Sequence, residues 1–580
     1  MTIPPIRTLP IPTAHRELTV LVEGEALGRQ VQLLNASVSK RVNRLASARL
    51  VFLDGAAAIG AFPLSDADLL VPGRRVELRA GANDDPVPLF HGIVVRHALR
   101  VRDDAAPQLV IDCRHAATVL AGERRSACFV DRSDADVITD LLERADLPAV
   151  VEGAGVTHAQ LVQYRTTDWA FLIERAAASG QIVLTNDETV RVQAPRFDAE
   201  PAFQLQFGAT VLELDAEIDA RSQSAGVTVT SWDPAQQSLA TRAAEAPVPD
   251  EPGNLSGDDL AAAVGIQTRD LRHVALAEAQ AQAWADAAHL WARLNKVSGR
   301  AKCEGIATVN PGDLIALGGI GARFSGDVLV SGVRHDFDQV QGWKTHLQFG
   351  GLPDPRPQPS GDRATETEPA RLRGLQIGVV TGNEDESGEH RVRVRLPLVD
   401  AAAEGVWARL ASPDAGNQRG FVFRPEIGDE VVVGFLEDDP SHAVLLGMLH
   451  SSAKPAPLPG SDDNHEKGYC SRAGMRLSFH DDDTVVQIDT PAGNRLTLSE
   501  QDQAVTIADQ NGNTIEMTAD GIVVESASAL TLKAATELTL ESGTALSVVG
   551  GTELTLEGTS AAELSCAATT AIKGGLVQIN

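Results

Sequence analysis

The stretch ALTLKAATELTLESGTALSVVGGTELTLEGTSA, residues 529–561, decides the fold of the C-terminal part of this chain. Leu530, Leu538, Leu546 and Leu554 stand eight residues apart. Two residues later a second track runs through Val524, Leu532, Leu540, Val548, Leu556, Leu564 and Ile572, apolar at every step. Thr, Ser, Glu, Gly and Ala fill the intervals. An apolar pair at i and i+2 marks one face of a short strand, because side chains alternate along extended backbone. The other residues of each repeat turn the chain toward the next pair. A solitary chain built this way would expose an apolar stripe and open strand edges in every repeat, a template for aggregation. Eight residues are also too few for one chain to circle a core wide enough for leucine. Several chains wound about a shared axis would bring their stripes together, each buried Leu or Val contributing roughly 1.5–3 kcal/mol. A single-chain β-solenoid is the competing reading, and its calcium-binding form is disfavoured by the missing GGxGxDxUx signature. The expected needle core is Ile522, Val524, Leu530, Leu532, Leu538, Leu540, Leu546, Val548, Leu554, Leu556, Leu564 and Ile572. The first track shrinks to Ala562 and Thr570, which predicts a shaft that tapers toward the terminal GGLVQIN.

Upstream of the repeat the same pairs occur at looser spacing: Leu477/Phe479, Val486/Ile488, Leu496/Leu498, Val505/Ile507 and Ile515/Met517. The turn motifs AGN (492–494) and NGN (511–513) fall between them. Two stretches without hydrophobic periodicity read as linkers, 351–370 and 451–469, both carrying the Pro, Gly and Ser that keep a chain extended. They divide the chain into blocks at 1–350, 371–450 and 470–580. The first block mixes alternating strands (RELTVLVEG, RRVELRAG, LFHGIVVRHALRV, QLVIDCRH) with amphipathic helices (DADVITDLLERADL, DWAFLIERAAASG and 274–297), an α+β pattern of barrels with inserted helices. The middle block holds short strands with Gly, Pro and Asp turns, which suggests a small closed barrel of OB type.

The totals exclude several roles. Of 580 residues, 50 are basic and 79 acidic, a net charge of −29 that disfavours nucleic acid and anionic membranes as partners. Aromatic residues make up only 4%, which argues against stacking platforms for single strands. The cysteines at 113, 128, 303, 470 and 566 form no CxxC pair, so neither a zinc knuckle nor a disulfide framework is expected. The N-terminus shows no Sec-type signal and no run is apolar enough to span a bilayer, which predicts a protein made in the cytoplasm and moved only by a machine.

The middle block also carries a resemblance. IGVVTGNEDESGEHRVRVRLP (377–397), GVWARL and FRPEIGDEVVVGFLEDDPSHAVLLG (423–447) resemble the VgrG family, the spike of type VI secretion systems, with relatives in contractile phage tails and extracellular contractile injection systems. The family motif is present as Pro425, Glu426, Gly428, Asp429, Glu430, Val431, Val433 and Phe435. PGRRVELRAG, LFHGIVV and QYRTTDWAFLIERAAASG are similar to the family's hub-type domain. The resemblance implies a homotrimer: a pseudo-sixfold ring of hub barrels docked on a hexameric inner tube, OB barrels as the neck, and an intertwined triple-stranded β-helix as the needle. It further implies baseplate proteins as partners, a PAAR-type cap near Val577 and Ile579, and effector cargo. Such a spike would be assembled into an injection particle and delivered to or through the target envelope.

Enzymatic readings fare less well. Some relatives carry a lysozyme between barrel and needle or a toxin after it, and neither is expected here. His442, His450, His465 and His480 lack HxH or HxxxH spacing, and HDDD (480–483) falls in a predicted turn, so no metal or cofactor is expected. GGIGAR (318–323) reads as a hairpin turn, and Ser331 lies on a strand without a GxSxG elbow. The expected function is structural, with a peptidoglycan hydrolase sited in residues 1–350 and a trimeric adhesin or tail fibre as alternatives.

Overall fold

The computed structural model describes residues 17–579 apart from 29, 59, 82–85, 154, 275, 353–371 and 373. Nearly all of the first expected linker therefore lies outside the described residues. The chain forms two compact units, 1–450 and 451–580.

The first unit is built on a thirteen-stranded, mainly antiparallel sheet. Its strands alternate as their sequences do: in Leu33–Arg41 and Arg44–Leu53, Ala36, Val38, Leu50 and Phe52 point inward. These residues meet Leu78, Phe90, Leu109 and Ile111 in one core. A second core gathers Ile315, Leu317, Val330, Leu347 and Phe349. The two are joined by the strand Gly326–Asp338, which pairs with Leu33–Arg41 on one side and Gly342–Phe349 on the other. The expected hub barrels are thus edge-joined into one sheet that serves two cores.

Four α-helices, among the described residues, are inserted into this frame. α1 (Asp134–Arg144) starts at Ser133, whose hydroxyl accepts from the Asp136 amide while the Asp136 carboxylate accepts from the Ser133 amide, a capping box. α2 (Asp168–Ala178) is capped by Thr167 and stops before Gly180, which takes φ +71°. Both cover the antiparallel strand pair Arg124–Ser133/Thr157–Thr167 over a core of Val137, Ile138, Leu141, Leu172 and Trp169. α3 (Gly257–Val264) and α4 (Glu278–Leu294) accompany a three-stranded sheet of Gly226–Asp233, Ser238–Ala243 and Thr268–His273.

Residues 376–448 close into a five-stranded barrel. In chain order its strands are Gln376–Gly382, Val392–Arg395, Val406–Leu410, Glu430–Phe435 and Ala443–Met448. The third and fifth run parallel and the other pairs are antiparallel, the topology of an OB fold. Val380, Val392, Val394, Val431, Val433 and Leu445 fill it, each exposed by no more than 1%. Val162 and Tyr164 of the inserted strand pair join the same core, and Gln160 clamps the barrel by accepting from the Trp407 amide at 2.8 Å.

The second unit holds a seven-stranded antiparallel meander from Glu466–Cys470 to Gly521–Glu525. AGN and NGN are two of its hairpin turns, with Gly493 at φ +102° and Gly512 at φ +88°. From residue 526 onward no strand pairing occurs among the described residues.

Candidate assembly surface and cleft

The meander aligns its apolar pairs strand by strand. Leu477 faces Ile488, Ile488 faces Leu496, and the column continues through Ile507 and Ile515 to Val524. A second column runs from Phe479 through Val486, Leu498, Val505 and Met517 to Ile522. Residues between the columns alternate to the other face, which carries Ser478, Gln487, Thr497, Thr506 and Glu516. One face is therefore apolar and the other mainly polar, with Val523 at its end. Among the described residues nothing closes over the apolar face: Ile507 is 45% and Ile522 69% exposed. Ile522 and Val524, read from the sequence as the start of the regular repeat, are the last apolar pair of this sheet.

Beyond the sheet, bends fall at 527–528, 535–536, 543–544, 551–552, 559–560, 567–568 and 575–576, one every eight residues. Within 526–579 no backbone–backbone hydrogen bond forms among the described residues. The two tracks are open throughout, from Leu554 at 54% to Leu556 at 81% exposed. The remaining predicted core positions, Leu530, Leu532, Leu538, Leu540, Leu546, Val548, Leu564 and Ile572, lie in this range and are likewise uncovered. Val577 and Ile579 are also exposed.

The motif residues in the barrel have structural tasks. Gly428 sits at φ +87° in the turn before a barrel strand, and its amide donates to the Val380 carbonyl at 2.8 Å. The Asp429 carboxylate accepts from the Glu426 amide at 2.9 Å, and the Pro425 carbonyl accepts from Asn383 at 2.8 Å. Val431 and Val433 point into the core, Phe435 packs at its rim, and Glu430 pairs with Val379 across the ladder.

A cleft of about 1690 Å³ opens between the barrel and the inserted layer. Beside it Asp134 lies buried, accepting from His158 at 2.9 Å and from Ser179 at 2.9 Å, with Arg175 3.8 Å away. Burial pushes the Asp134 carboxyl up, but the bonds from His158 and Ser179 and the Arg175 charge outweigh it and hold the group below the usual carboxylate range. The order of contacts matters. In a nucleophilic triad the imidazole stands between hydroxyl and carboxylate. Here the carboxylate stands between them, and the other ring nitrogen of His158 faces Gln280. This network ties α1, α2 and α4 together and activates no hydroxyl. Ser331 is equally spent, its buried hydroxyl donating to the Gly350 carbonyl at 2.6 Å.

The cleft wall also gathers His273, Asp439 and His442, with ligand atoms all within 4.8 Å of one another. The sequence around His442 offers it no histidine at ligand spacing, which is why no metal is expected from the sequence. Its partner His273 comes from the inserted sheet, far along the chain, where no spacing rule reaches. Residues 481–484 form the turn expected of HDDD.

Comparison with known proteins bears on both halves of the first unit. Residues 13–339 match the family described as the Alg8 N-terminal domain, and residues 376–450 match the type VI secretion system/phage-baseplate injector OB domain. The type VI secretion system spike protein VgrG4b of Pseudomonas aeruginosa is 32% identical over 134 residues, covering 19% of this chain and 16% of that protein. The actin cross-linking toxin VgrG1 of Vibrio cholerae is 31% identical over 121 residues, covering 19% of this chain and 10% of that protein. The matches thus span less than a fifth of these relatives' own lengths. Among solved structures, the half-lidded PdpA–VgrG complex of Francisella is similar in fold, with a TM-score of 0.53 at 7% identity over 88% of each chain.

Proposed function

We propose that this chain, which belongs to the Alg8 N-terminal-domain family and to the VgrG spike family, works as the homotrimeric hub and spike of a contractile injection machine. The observation that carries the reading is the uncovered apolar face of the second unit. Two apolar columns cross six of the seven strands, one track continues from Leu530 to Leu554 and the other from Leu532 to Ile572, and most of these residues are exposed in the single chain. A soluble protein rarely leaves so large a contiguous apolar surface to water. Backbone from 526 to 579 without backbone–backbone hydrogen bonds among the described residues likewise calls for partners of the same pitch. Copies of the chain supply both, because the same eight-residue period recurs in each.

In this reading the sheet and the repeat wind three chains into a needle, the barrels form the neck, and the edge-joined hub sheets form the ring that docks on a hexameric inner tube and baseplate. The sheath drives the assembly and the needle punctures the target envelope. Val577 and Ile579, exposed beyond the last bend, are where a PAAR-type cap would sit. A VgrG from Francisella is known in complex with PdpA, and cargo or accessory proteins are partners of the same kind here. No helix among the described residues is long and apolar enough to cross a membrane. The role is mechanical, without catalysis of its own, and the buried arrangement of Asp134, His158 and Ser179 supports that against a hydrolase in the first unit.

Light scattering on the full-length protein tests the assembly. A mass three times 61.3 kDa is expected, and a stable monomer would refute the shared-axis needle. Incubation with purified peptidoglycan should release no muropeptides; release abolished by His158→Ala would revive the hydrolase.

A further inference from the structure

The geometry points to a divalent transition-metal site, of the kind that takes Zn²⁺, formed by His273, Asp439 and His442, which clips the inserted sheet of the hub onto the barrel. The site is independent of the trimer, since all its residues lie within one chain. His273 ends the strand Thr268–His273, while Asp439 and His442 belong to the loop that enters the last barrel strand. His273 Nε2 lies 3.5 Å from Asp439 Oδ2, and His442 Nε2 lies 3.7 Å from the same oxygen.

These separations are too long for N–H···O hydrogen bonds, which end near 3.2 Å. They are at or just beyond the distance between neighbouring ligands around a tetrahedral ion: with bonds of about 2.0–2.2 Å, adjacent donors stand roughly 3.3–3.6 Å apart. Three donors thus face a common point without bonding one another. Glu437 Oε2 lies 3.8 Å from His273 Nε2 but outside the three-donor group, which leaves the fourth position to solvent.

The supporting contacts hold the donors in place. Asp439 Oδ1 accepts from the Ser441 amide at 2.8 Å, which leaves Oδ2 turned toward both rings. The His442 amide donates to the Asp439 carbonyl at 3.0 Å, and the rings of Trp284 and His273 pack nearly at right angles with centroids 5.4 Å apart. Glu437 is held at φ +55° and Asp438 at φ +61°, a left-handed pair that a non-glycine loop adopts only where its surroundings enforce it. Two imidazoles with one carboxylate favour Zn²⁺ over the hard ions Mg²⁺ and Ca²⁺. The three donors are 15–29% exposed along the cleft, so an ion has a path in.

The test uses full-length protein stripped with chelator and dialysed into metal-free buffer. Zn²⁺ titration followed by calorimetry should show one site per chain, and the melting temperature of the first unit should rise with free Zn²⁺. The Co²⁺-loaded protein should show the intense visible bands of tetrahedral coordination. His273→Ala and His442→Ala should each abolish the site while leaving the metal-free melting temperature within a few degrees, and His450→Ala should retain it. Absence of Zn²⁺ binding in the wild type, or weak octahedral Co²⁺ bands, would overturn the assignment. Equal binding by the His273→Ala/His442→Ala double variant would overturn it too. Should a variant misfold, the Co²⁺ spectrum of the wild type still decides.

Discussion

The two units of this protein solve the burial problem in opposite ways. The first closes its hydrophobic surface inside its own chain: Phe52, Ile111, Phe349 and Leu445 are all exposed by 1% or less. The second leaves Ile507, Leu540 and Leu556 at 45%, 61% and 81%. Yet both are written with the same alternation of apolar and polar residues. The difference lies in which strands become neighbours. In the barrel the fifth strand returns beside the third, so the inward faces surround one another. In the meander each strand pairs only with those next to it in the chain, so the apolar columns lie side by side on one surface. Alternation supplies an apolar face; topology decides whether the chain itself can cover it.

The sharpest way to break this contrast is Leu540→Asp. If the tracks meet on an axis shared by three chains, three carboxylates are forced together out of water, at several kcal/mol per group. The trimer should fall apart at micromolar concentration by light scattering, while the first unit still melts as in the wild type. Unchanged mass and heat resistance would mean that the exposed tracks have another purpose. The reciprocal change, Asp134→Ala, strands Arg175 and His158 in the first unit and should cost that unit about 3–5 kcal/mol. Calorimetry should show one transition lowered, with the oligomer mass unaffected.

Acid offers a third and smaller contrast. His335 is buried beside Thr345 and Trp343, with Trp343 Nε1 donating to its Nδ1 at 3.4 Å. Burial first, then the nearby positive charge of Lys40, pushes its imidazole down to about 3. The unfolded chain takes up this proton near pH 6.5 and the folded unit does not, so stability is lost as pH falls from about 6.5 toward 3. At pH 5 the loss from this group is about 2 kcal/mol, each pH step costing about 1.4 kcal/mol. His335→Gln should flatten the pH dependence of the first unit's melting temperature over that window. The second unit, whose apolar face holds no buried histidine, should show no such slope. The smallest effect is expected of Gly428→Ala: at φ +87° a Cβ costs roughly 1–2 kcal/mol. The substitution should lower the first unit's melting temperature by a few degrees and leave the trimer intact.

Much of this was legible in the residues. The pairs from Leu477/Phe479 to Ile522/Val524 each fall in a strand of the meander. The barrel's alternation and the helices α1, α2 and α4 are set by local pattern and caps. The antiparallel pair Arg124–Ser133/Thr157–Thr167 is not: Arg124, Arg125 and Arg132 blur its alternation, and Val162 and Tyr164 find their apolar surroundings in a barrel far along the chain. The short α3 also escapes, since eight residues show barely two turns of period. The cleft was the least legible, because His273 and His442 are joined only by the packing of one layer on another. Periodicity reports what a segment offers to a neighbour and is silent about which neighbour arrives.

The bend that recurs every eight residues after 526 has a consequence for how such a protein can change in length. Removing residues 538–545 joins Glu537 to Leu546, and Leu546 and Val548 take the places of Leu538 and Leu540. Removing 538–541 instead puts Ser542 and Thr544 there, with Gly550, Thr552, Gly558 and Ser560 in the next two pairs of places. The segment is graduated like a ruler: it can gain or lose whole divisions and keep both apolar rows, whereas a fraction of a division breaks them from that point on.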